Sequence, residues 1–210
     1  MEDNNNITAT KNGSSKSPVI YYSIDGGETW NNQTLSSGTI SFGTINTGES
    51  ILFKCEIDSW ASAWNAYNKF NGSKNFKVYG NSMSLLYGDN FTNNSEFGSN
   101  STYNLCGLFY EAAYIVDASN LIMPALTCKT SCYNGMFRGC TNLLHAPLLP
   151  ALYSAQDCYS SMFEGCINLE KAPEINLINL SITCCKRMFC MSRSAKLTTP
   201  KMTKGPILKV

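Results

Sequence analysis

The chain has 210 residues, of which 16 are lysine or arginine and 15 are aspartate or glutamate, so its formal net charge is +1. This balance gives no electrostatic reason to bind nucleic acid or an anionic membrane surface. No run of 18 apolar residues occurs and residues 1–18 lack the apolar core of a signal peptide, so we expect neither a membrane span nor a secretion signal.

Residues 1–17 are rich in Asn, Ser and Lys and lack apolar periodicity, which predicts a flexible tail. From residue 19 onward the pattern is typical of strands. "VIYYSI" and "ETWNNQTL" flank a turn at Asp25-Gly26-Gly27 and predict a hairpin. "TISFGTI" and "SILFKCEI" predict a second hairpin, and "NFKVYG" and "SMSLLYG" predict two more strands. Together they predict a small β-sandwich-like module over residues 18–92.

The turn of the first hairpin reads Ser-x-Asp-x-Gly-x-Thr-Trp over residues 23–30, the pattern of the Asp box found in sialidases and other carbohydrate-active proteins. We expect Asp25 to accept hydrogen bonds from turn amides, Gly27 to adopt a dihedral that other residues avoid, and Trp30 to pack beneath, with Thr29 completing the pattern. A sialidase would repeat the motif around its propeller and would carry an arginine triad. Neither is present, so the sequence predicts a structural turn, no catalytic residue and no enzyme.

Residues 58–70, "DSWASAWNAYNKF", place three aromatic residues at the spacing of one helical face: Trp60, Trp64 and Tyr67. One interpretation is a lid that closes the open end of the sandwich. Another is an aromatic platform on which sugars stack, and a third is a contact with a partner protein. The sequence leaves all three open.

Residues 124–149 and 150–175 are identical at 13 of 26 aligned positions, and residues 176–202 form a degenerate third copy. A 26-residue period carrying Leu, Phe and Cys at fixed positions is typical of a leucine-rich-repeat-type solenoid. The shared "CYxxMFxGC" predicts a short helix in each copy. The predicted fold class is therefore α+β, with a β-sandwich-like module followed by a short solenoid over residues 93–210.

Ten cysteines occur in the chain, and several recur with the same period as the repeat. Disulfides, metal ligands and buried thiols are all open interpretations. The spacing favours buried thiols, because no pair of CxxC motifs is present and His145 is the only histidine. We therefore expect no metal and no cofactor. The residues predicted to stack into a core ladder are Cys132, Cys158, Cys184, Phe137, Phe163, Phe189, Cys140 and Cys166.

The repeat pattern "MFxGCxxLxxAPxLPA" resembles the BspA-like leucine-rich repeats of surface proteins from gut and oral bacteria. The order "YSxDGGxTW", "MSLLYGDNF" and Cys-Tyr…Met-Phe repeats is similar to proteins of Bacteroides and their phages. The resemblance implies a non-enzymatic surface-display or binding protein: an exposed virion component, such as a fibre or capsid decoration, or a bacterial surface protein. Its implied partner is a host-surface glycan or protein, and its implied location is a virion or a cell surface.

The segment 186–210 contains seven basic and no acidic side chains. Four of the basic residues are candidate docking residues: Lys186, Arg187, Arg193 and Lys196. The last copy also lacks an obvious polar cap, which repeat arrays need. The alternative function is therefore purely structural, with this end docking onto another protein chain or a second copy of itself. A frayed, solvated tail is the other open interpretation of this segment.

Overall fold

The computed structural model describes residues 2–192. These residues form short strands, one short α-helix and one 3₁₀ helix. Their bounds are β1 Asn5–Lys11, β2 Val19–Ser23, β3 Asn31–Thr34, β4 Thr39–Ile45, β5 Leu52–Lys54, β6 Ala61–Ala63, β7 Ala66–Gly72, β8 Phe76–Lys77, β9 Gly80–Asn81, α1 Ser84–Tyr87, the 3₁₀ helix Gly88–Asn93, β10 Ile115–Asp117 and β11 Leu121–Ile122. In this part of the chain, no helix is long and apolar enough to cross a membrane.

Two antiparallel sheets, with strand orders β4-β1-β7-β6 and β3-β2-β5, hold the N-terminal part of the chain. Aromatic rings from both sheets pack together. The ring centroid of Phe53 of β5 lies 4.9 Å from that of Phe42 of β4 and 4.7 Å from that of Phe70 of β7. The parallel pairs β8–β10 and β9–β11 join residues on either side of the predicted boundary after residue 92. One buried cluster accordingly runs from Ile7 to Met188.

The prediction of a flexible tail over residues 1–17 is wrong, because β1 lies inside this range and pairs with β4 on one side and β7 on the other. Its apolar residues Ile7 and Ala9 are buried. Beyond the strand, Ser15 is buried and donates a hydrogen bond to Asn68. Only two small apolar residues alternate with Asn and Thr in β1, which is too weak a pattern to stand out from the polar composition.

Three further element predictions are also wrong. The second predicted hairpin does not form, because β4 pairs with β1 and β5 pairs with β2. "SMSLLYG" contains α1 instead of a strand. Residues 58–70 form no helix but the antiparallel pair β6–β7. The same spacing of aromatic residues also occurs in a hairpin in which each strand places one aromatic side chain in the core. Here the hairpin forms instead of a helix, because β7 pairs with the distant strand β1.

Four nine-residue stretches in the second part of the chain share one backbone conformation, and we call them the turn segments: 103–111, 131–139, 157–165 and 183–191. In each, the first, fifth and ninth residues have positive φ, between 54° and 76°. Most of these positions are not glycine, as at Ser131, Asp157 and Thr183. A positive φ at every fourth residue is incompatible with a right-handed helix.

Hydrogen bonding explains this conformation. Alternate amides bond to the carbonyl three residues back, as from Met136 to Tyr133. The amides between them point sideways and bond to the next copy, as from Tyr133 to the carbonyl of Cys158 and from Phe137 to that of Met162. An α-helix would direct all of its interior amides to the carbonyl four residues back. Half of the amides therefore bond between copies instead of along a helix.

The predicted α+β fold class with a leucine-rich-repeat-type solenoid is wrong. The described residues lie in small, mostly antiparallel sheets and turns, with α1 as the one short helix, and the predicted helix of each copy is absent. The "CYxxMFxGC" pattern places its apolar side chains on one side of a turn segment. The same spacing of apolar residues is typical of one face of a helix, so it predicts a helix that does not form. The inter-copy hydrogen bonds override that local preference.

Equivalent side chains of consecutive turn segments nevertheless contact one another. The rings of Phe109, Phe137, Phe163 and Phe189 lie 5.3–5.7 Å from their neighbours. The first turn segment is separated from the second by slightly more than one repeat length, since Gly107 and Gly135 occupy equivalent positive-φ positions. Cys106, which lies one repeat length before Cys132, is therefore not its structural equivalent.

Candidate functional site

A polar cleft of about 380 Å³ lies between the β6–β7 hairpin and one face of the turn segments. Trp64 lies at the tip of the hairpin, where the two-residue connection between the strands carries its side chain away from the core. Its side chain is 65% exposed. We define the polar cleft by six of its lining residues: Trp64, Arg138, Asp157, Glu164, Lys186 and Arg187.

Glu164 is the central charged group of the polar cleft. The residue is only 3% exposed, and its Oε1 atom accepts hydrogen bonds from Arg187 Nη2 at 2.5 Å and from Arg138 Nη2 at 3.3 Å. Its second oxygen, Oε2, is buried and has no hydrogen bond of standard geometry, and the hydroxyl of Ser161 is the neighbouring donor to this carboxylate. A buried carboxylate oxygen with incomplete hydrogen bonding is costly.

The local backbone explains why these three charges meet. Arg138 and Glu164 occupy the same position of consecutive copies, and the inter-copy hydrogen bonds place equivalent positions side by side. Arg187 has a φ of 57°, so it occupies the central positive-φ position of the last turn segment. Glu164 is thus paired with one arginine from the preceding copy and one from the following copy.

The electrostatics of the cleft keep Glu164 ionised. Burial acts to raise the pKa of this carboxyl group. The hydrogen bonds from Arg187 and Ser161, together with the positive charges of Arg138 and Arg187, outweigh it and hold the pKa below its ordinary value. The same interaction raises the pKa of Arg187. Glu164 is therefore a fixed hydrogen-bond acceptor at neutral pH and holds no proton that it could transfer to a ligand.

Neutral polar groups complete the lining of the cleft. They are the hydroxyl groups of Ser131, Ser160, Ser161 and Tyr103 and the amide of Asn134. Arg138 also lies 5.6 Å from the ring of Tyr110, which helps to fix its guanidinium group. An exposed indole in one cleft with hydroxyl, amide, carboxylate and guanidinium groups is suited to a ligand that has both an apolar face and many hydroxyls.

The structure separates the three aromatic residues predicted to share a face. Trp60 is fully buried and stacks on Phe70 at 5.4 Å. Tyr67 is 6% exposed and packs against Tyr110. An aromatic platform made of Trp60, Trp64 and Tyr67 is therefore wrong, because two of its members belong to the core. Trp64 alone is available to a ligand.

The predicted docking residues lie in two different places. Lys186 and Arg187 line the polar cleft together with Trp64. Arg193 and Lys196 lie outside the described residues. Two groups of residues that the sequence assigned to different functions, an aromatic candidate and a basic candidate, thus meet in one site.

The Asp-box hairpin has the geometry of a structural turn. Asp25 accepts hydrogen bonds from the amide and hydroxyl of Thr29 and from the hydroxyl of Ser23. Gly27 has a φ of 101°, and Trp30 Nε1 donates to the carbonyl of Gly27. These interactions hold the pKa of Asp25 well below its ordinary value. The polar side-chain atoms of Ser23, Asp25, Thr29 and Trp30 are used within the turn.

The residues of the predicted core ladder lie in the interior. Cys132, Cys140, Cys158, Cys166 and Cys184 are buried, as are Phe137 and Phe163, while Phe189 is partly buried at the end of the ring stack. All ten cysteines fall within the described residues and all are free thiols. Burial raises the pKa of Cys106 and of Cys166 to about 12, so these thiols stay protonated and unreactive at neutral pH. Within residues 2–192, no group of histidine, cysteine or carboxylate side chains is arranged to hold a metal ion.

A second cavity, of about 460 Å³, lies between the two antiparallel sheets and α1. Apolar and aromatic side chains form most of its wall, including Phe53, Phe70, Phe76 and Leu108. It suits an apolar group and offers few donors or acceptors to a sugar. The polar cleft is therefore the better candidate for a specific polar ligand.

Comparison of the chain with protein-family models, with curated proteins and with solved structures found no match in any of the three. The resemblance of the sequence motifs to BspA-like repeat proteins consequently stays a prediction.

Sequence reasoning missed Arg138, Asp157 and Glu164 as site residues. A signal for two of them was present, because Arg138 and Glu164 are opposite charges at aligned positions of consecutive copies. Residues at aligned positions become neighbours when the copies are hydrogen-bonded in register. Asp157 gave no such signal, since the equivalent residues Ser131 and Thr183 are uncharged.

Proposed function

We propose that this chain is a non-enzymatic binding protein that holds a host-surface glycan in the polar cleft. The observation that carries the proposal is the exposed indole of Trp64 in one cleft with the carboxylate of Glu164 and the exposed guanidinium group of Arg187. A sugar ring presents C–H groups on one face and hydroxyls at its edge. The face stacks on an indole, and the edge hydroxyls donate to a carboxylate and accept from guanidinium groups.

The arrangement of charges supports binding rather than glycoside hydrolysis. A glycosidase needs one carboxyl group that holds a proton and serves as the general acid. The pKa of Glu164 lies below its ordinary value, because Arg187 and Arg138 stabilise the ionised form. A carboxylate held between two guanidinium groups is a recognition element, and it is poorly suited to donate a proton.

The proposal includes display on a phage particle or on a bacterial surface, as the sequence motifs suggest. Proteolysis of purified virions, and separately of intact cell surfaces, followed by mass spectrometry tests this part. Stoichiometric recovery from one of the two samples is expected. Recovery only from the cell interior would contradict it.

The glycan itself is tested on an array of host-surface glycans with the wild-type chain and Trp64→Ala. Loss of the stacking surface should weaken binding by at least about tenfold, the size typical of a central aromatic residue. Tyr114→Ala is the matched control, since Tyr114 is also an exposed aromatic residue but lies outside the cleft. Unchanged binding by Trp64→Ala, or no glycan bound at all, would contradict the proposal.

The structural-docking alternative has one observation in its favour within residues 2–192, because the last copy exposes the apolar side chains of Ile178, Leu180, Ile182 and Met191. Lys186 and Arg187, two of its four candidate residues, line the polar cleft, and the other two lie outside that range. Docking through the C-terminal end stays a prediction, with oligomeric state at micromolar concentration as its test.

A further inference from the structure

The charges that line the polar cleft do not balance. Three cations, Arg138, Lys186 and Arg187, face two carboxylates, Asp157 and Glu164. A single carboxylate, Glu164, serves both guanidinium groups. Lys186 is exposed, and among residues 2–192 no carboxylate lies within ion-pair distance of its ammonium group. The cleft therefore carries one uncompensated positive charge.

We infer that the ligand of the polar cleft is an acidic glycan, a sugar whose ring carries a carboxylate or sulfate group that pairs with Lys186 and the exposed edge of Arg187. This inference rests on the proposed function, because it names the class of glycan held at the same site. One negative charge on the ligand would neutralise the cleft.

The cleft offers a hydrogen-bond acceptor at Glu164 and cationic donors at Lys186 and Arg187, so one ligand has to carry both a donor and an anion. Glu164 supplies carboxylate acceptor atoms in the wall of the cleft, and a sugar hydroxyl is a donor of the kind that pairs with them. Arg187 uses Nη2 on Glu164 and is otherwise exposed, which leaves guanidinium N–H groups to donate to an anion. A simple anion such as phosphate dianion or sulfate offers acceptors only. An acidic sugar offers the donor and the anion within one ring.

Neutral glycans and polyanions both fit less well. A neutral sugar would satisfy Glu164 but would leave the charge of Lys186 unpaired. A nucleic acid or another closely spaced polyanion would bring several negative charges against Asp157 and Glu164, and the formal net charge of the whole chain is only +1. A single acidic substituent on a hydroxyl-rich ring is the chemistry that matches both halves of the cleft.

The test is a calorimetric titration with a matched ligand pair. The first member is a galacturonic acid oligosaccharide and the second is the same oligosaccharide after reduction of its carboxyl groups to alcohols. A sulfated and an unsulfated galactan oligosaccharide form a second pair, which separates a sulfate ligand from a carboxylate ligand. We expect the acidic member of one pair to bind more tightly, and its advantage to shrink between about 50 mM and about 500 mM salt as charges are screened.

Lys186→Gln removes the unpaired charge and keeps most of the side-chain length. It should weaken the acidic member by roughly twofold to tenfold and the neutral member by a smaller factor, as expected for a partly exposed charge pair. Lys171→Gln is the control, because it makes the same change in net charge at an exposed lysine outside the cleft. An effect of equal size in both variants would point to general electrostatics and would overturn the inference.

The outcomes separate the two proposals. Equal affinity for the acidic and neutral members of both pairs, lost together in Trp64→Ala, overturns the acidic specificity but keeps the glycan site. Binding that Trp64→Ala does not weaken, or tighter binding of DNA oligonucleotides than of any sugar, overturns both.

Discussion

Two parts of this molecule satisfy their backbone hydrogen bonds in different ways. In the sheet region, residues 5–93, no sequence repeat indicates which strands pair with one another. The pairing of β1 with β4 and β7 is an example. In the turn-segment region, residues 103–191, alternate amides bond to the next copy along the chain. A repeat in the sequence thus identifies which residues become neighbours, but it does not identify the backbone conformation they adopt.

The difference extends to side-chain packing. In the turn-segment region, identical rings stack nearly parallel, with Phe163 lying 5.7 Å from both Phe137 and Phe189. In the sheet region, the angle between neighbouring rings varies, from 19° between Trp60 and Phe70 to 68° between Phe42 and Phe53. Both arrangements bury large aromatic rings in the interior.

The largest expected effect breaks the ring stack. Phe163→Ala removes a fully buried ring from between two others and should lower the free energy of unfolding by about 3–5 kcal/mol. Urea denaturation followed by circular dichroism measures the change. Leu148→Ala is the control, since Leu148 is 75% exposed, and it should change stability by less than about 0.5 kcal/mol. A loss below about 1 kcal/mol at Phe163 would show that the rings are not stacked.

A smaller effect on stability tests the positive-φ backbone conformation of the turn segments. Thr183 has a φ of 60°, a value that a β-branched residue adopts only under strain. Thr183→Gly should therefore raise the free energy of unfolding by about 1 kcal/mol, as judged from the cost of the left-handed conformation. At Thr130, which has no positive φ, the same substitution should lower it by about 0.5–1 kcal/mol. Equal destabilisation at both positions would contradict the assigned conformation of the turn segments.

The smallest effect concerns the Asp-box hairpin of the sheet region. Hydrogen bonds from Ser23 and Thr29 hold the pKa of Asp25 well below its ordinary value. Because the pKa is lower in the folded state, the carboxylate stabilises the fold above the unfolded pKa of about 3.9, and this contribution is lost as the pH falls toward the folded pKa. Asp25→Asn should lower the melting temperature slightly at pH 7. Between about pH 5 and about pH 2.5, the melting temperature of the variant should decrease less than that of the wild type.

Thermal unfolding across that pH range measures the effect, with Glu28→Gln as the control at an exposed carboxyl group of the same hairpin. A melting curve for Asp25→Asn that keeps the full acid dependence of the wild type would show that Asp25 does not form these bonds. The sheet region would then lack the local turn that orders its first hairpin.

The sequence was informative where a local rule decides the outcome. The hairpin of β2 and β3 follows from its turn signal, and the buried positions at Phe137 and Phe163 follow from the repeat. It was uninformative where distant partners decide, as for β1, for β4 and for the conformation of the turn segments. The sequence identified three of the six residues that define the candidate site, namely Trp64, Lys186 and Arg187. It did not show that they lie in one cleft, because the aromatic spacing predicted a helix where the β6–β7 hairpin forms.

The most direct test of the polar cleft follows the three tryptophan indole N–H signals by NMR during titration with the acidic oligosaccharide. Trp64 lies in the cleft, Trp60 is buried in the core, and Trp30 belongs to the Asp-box hairpin. The account predicts a saturable shift of the Trp64 signal, while the signals of Trp60 and Trp30 stay in place. A ligand that binds and shifts Trp30 or Trp60 but leaves Trp64 unmoved would contradict it.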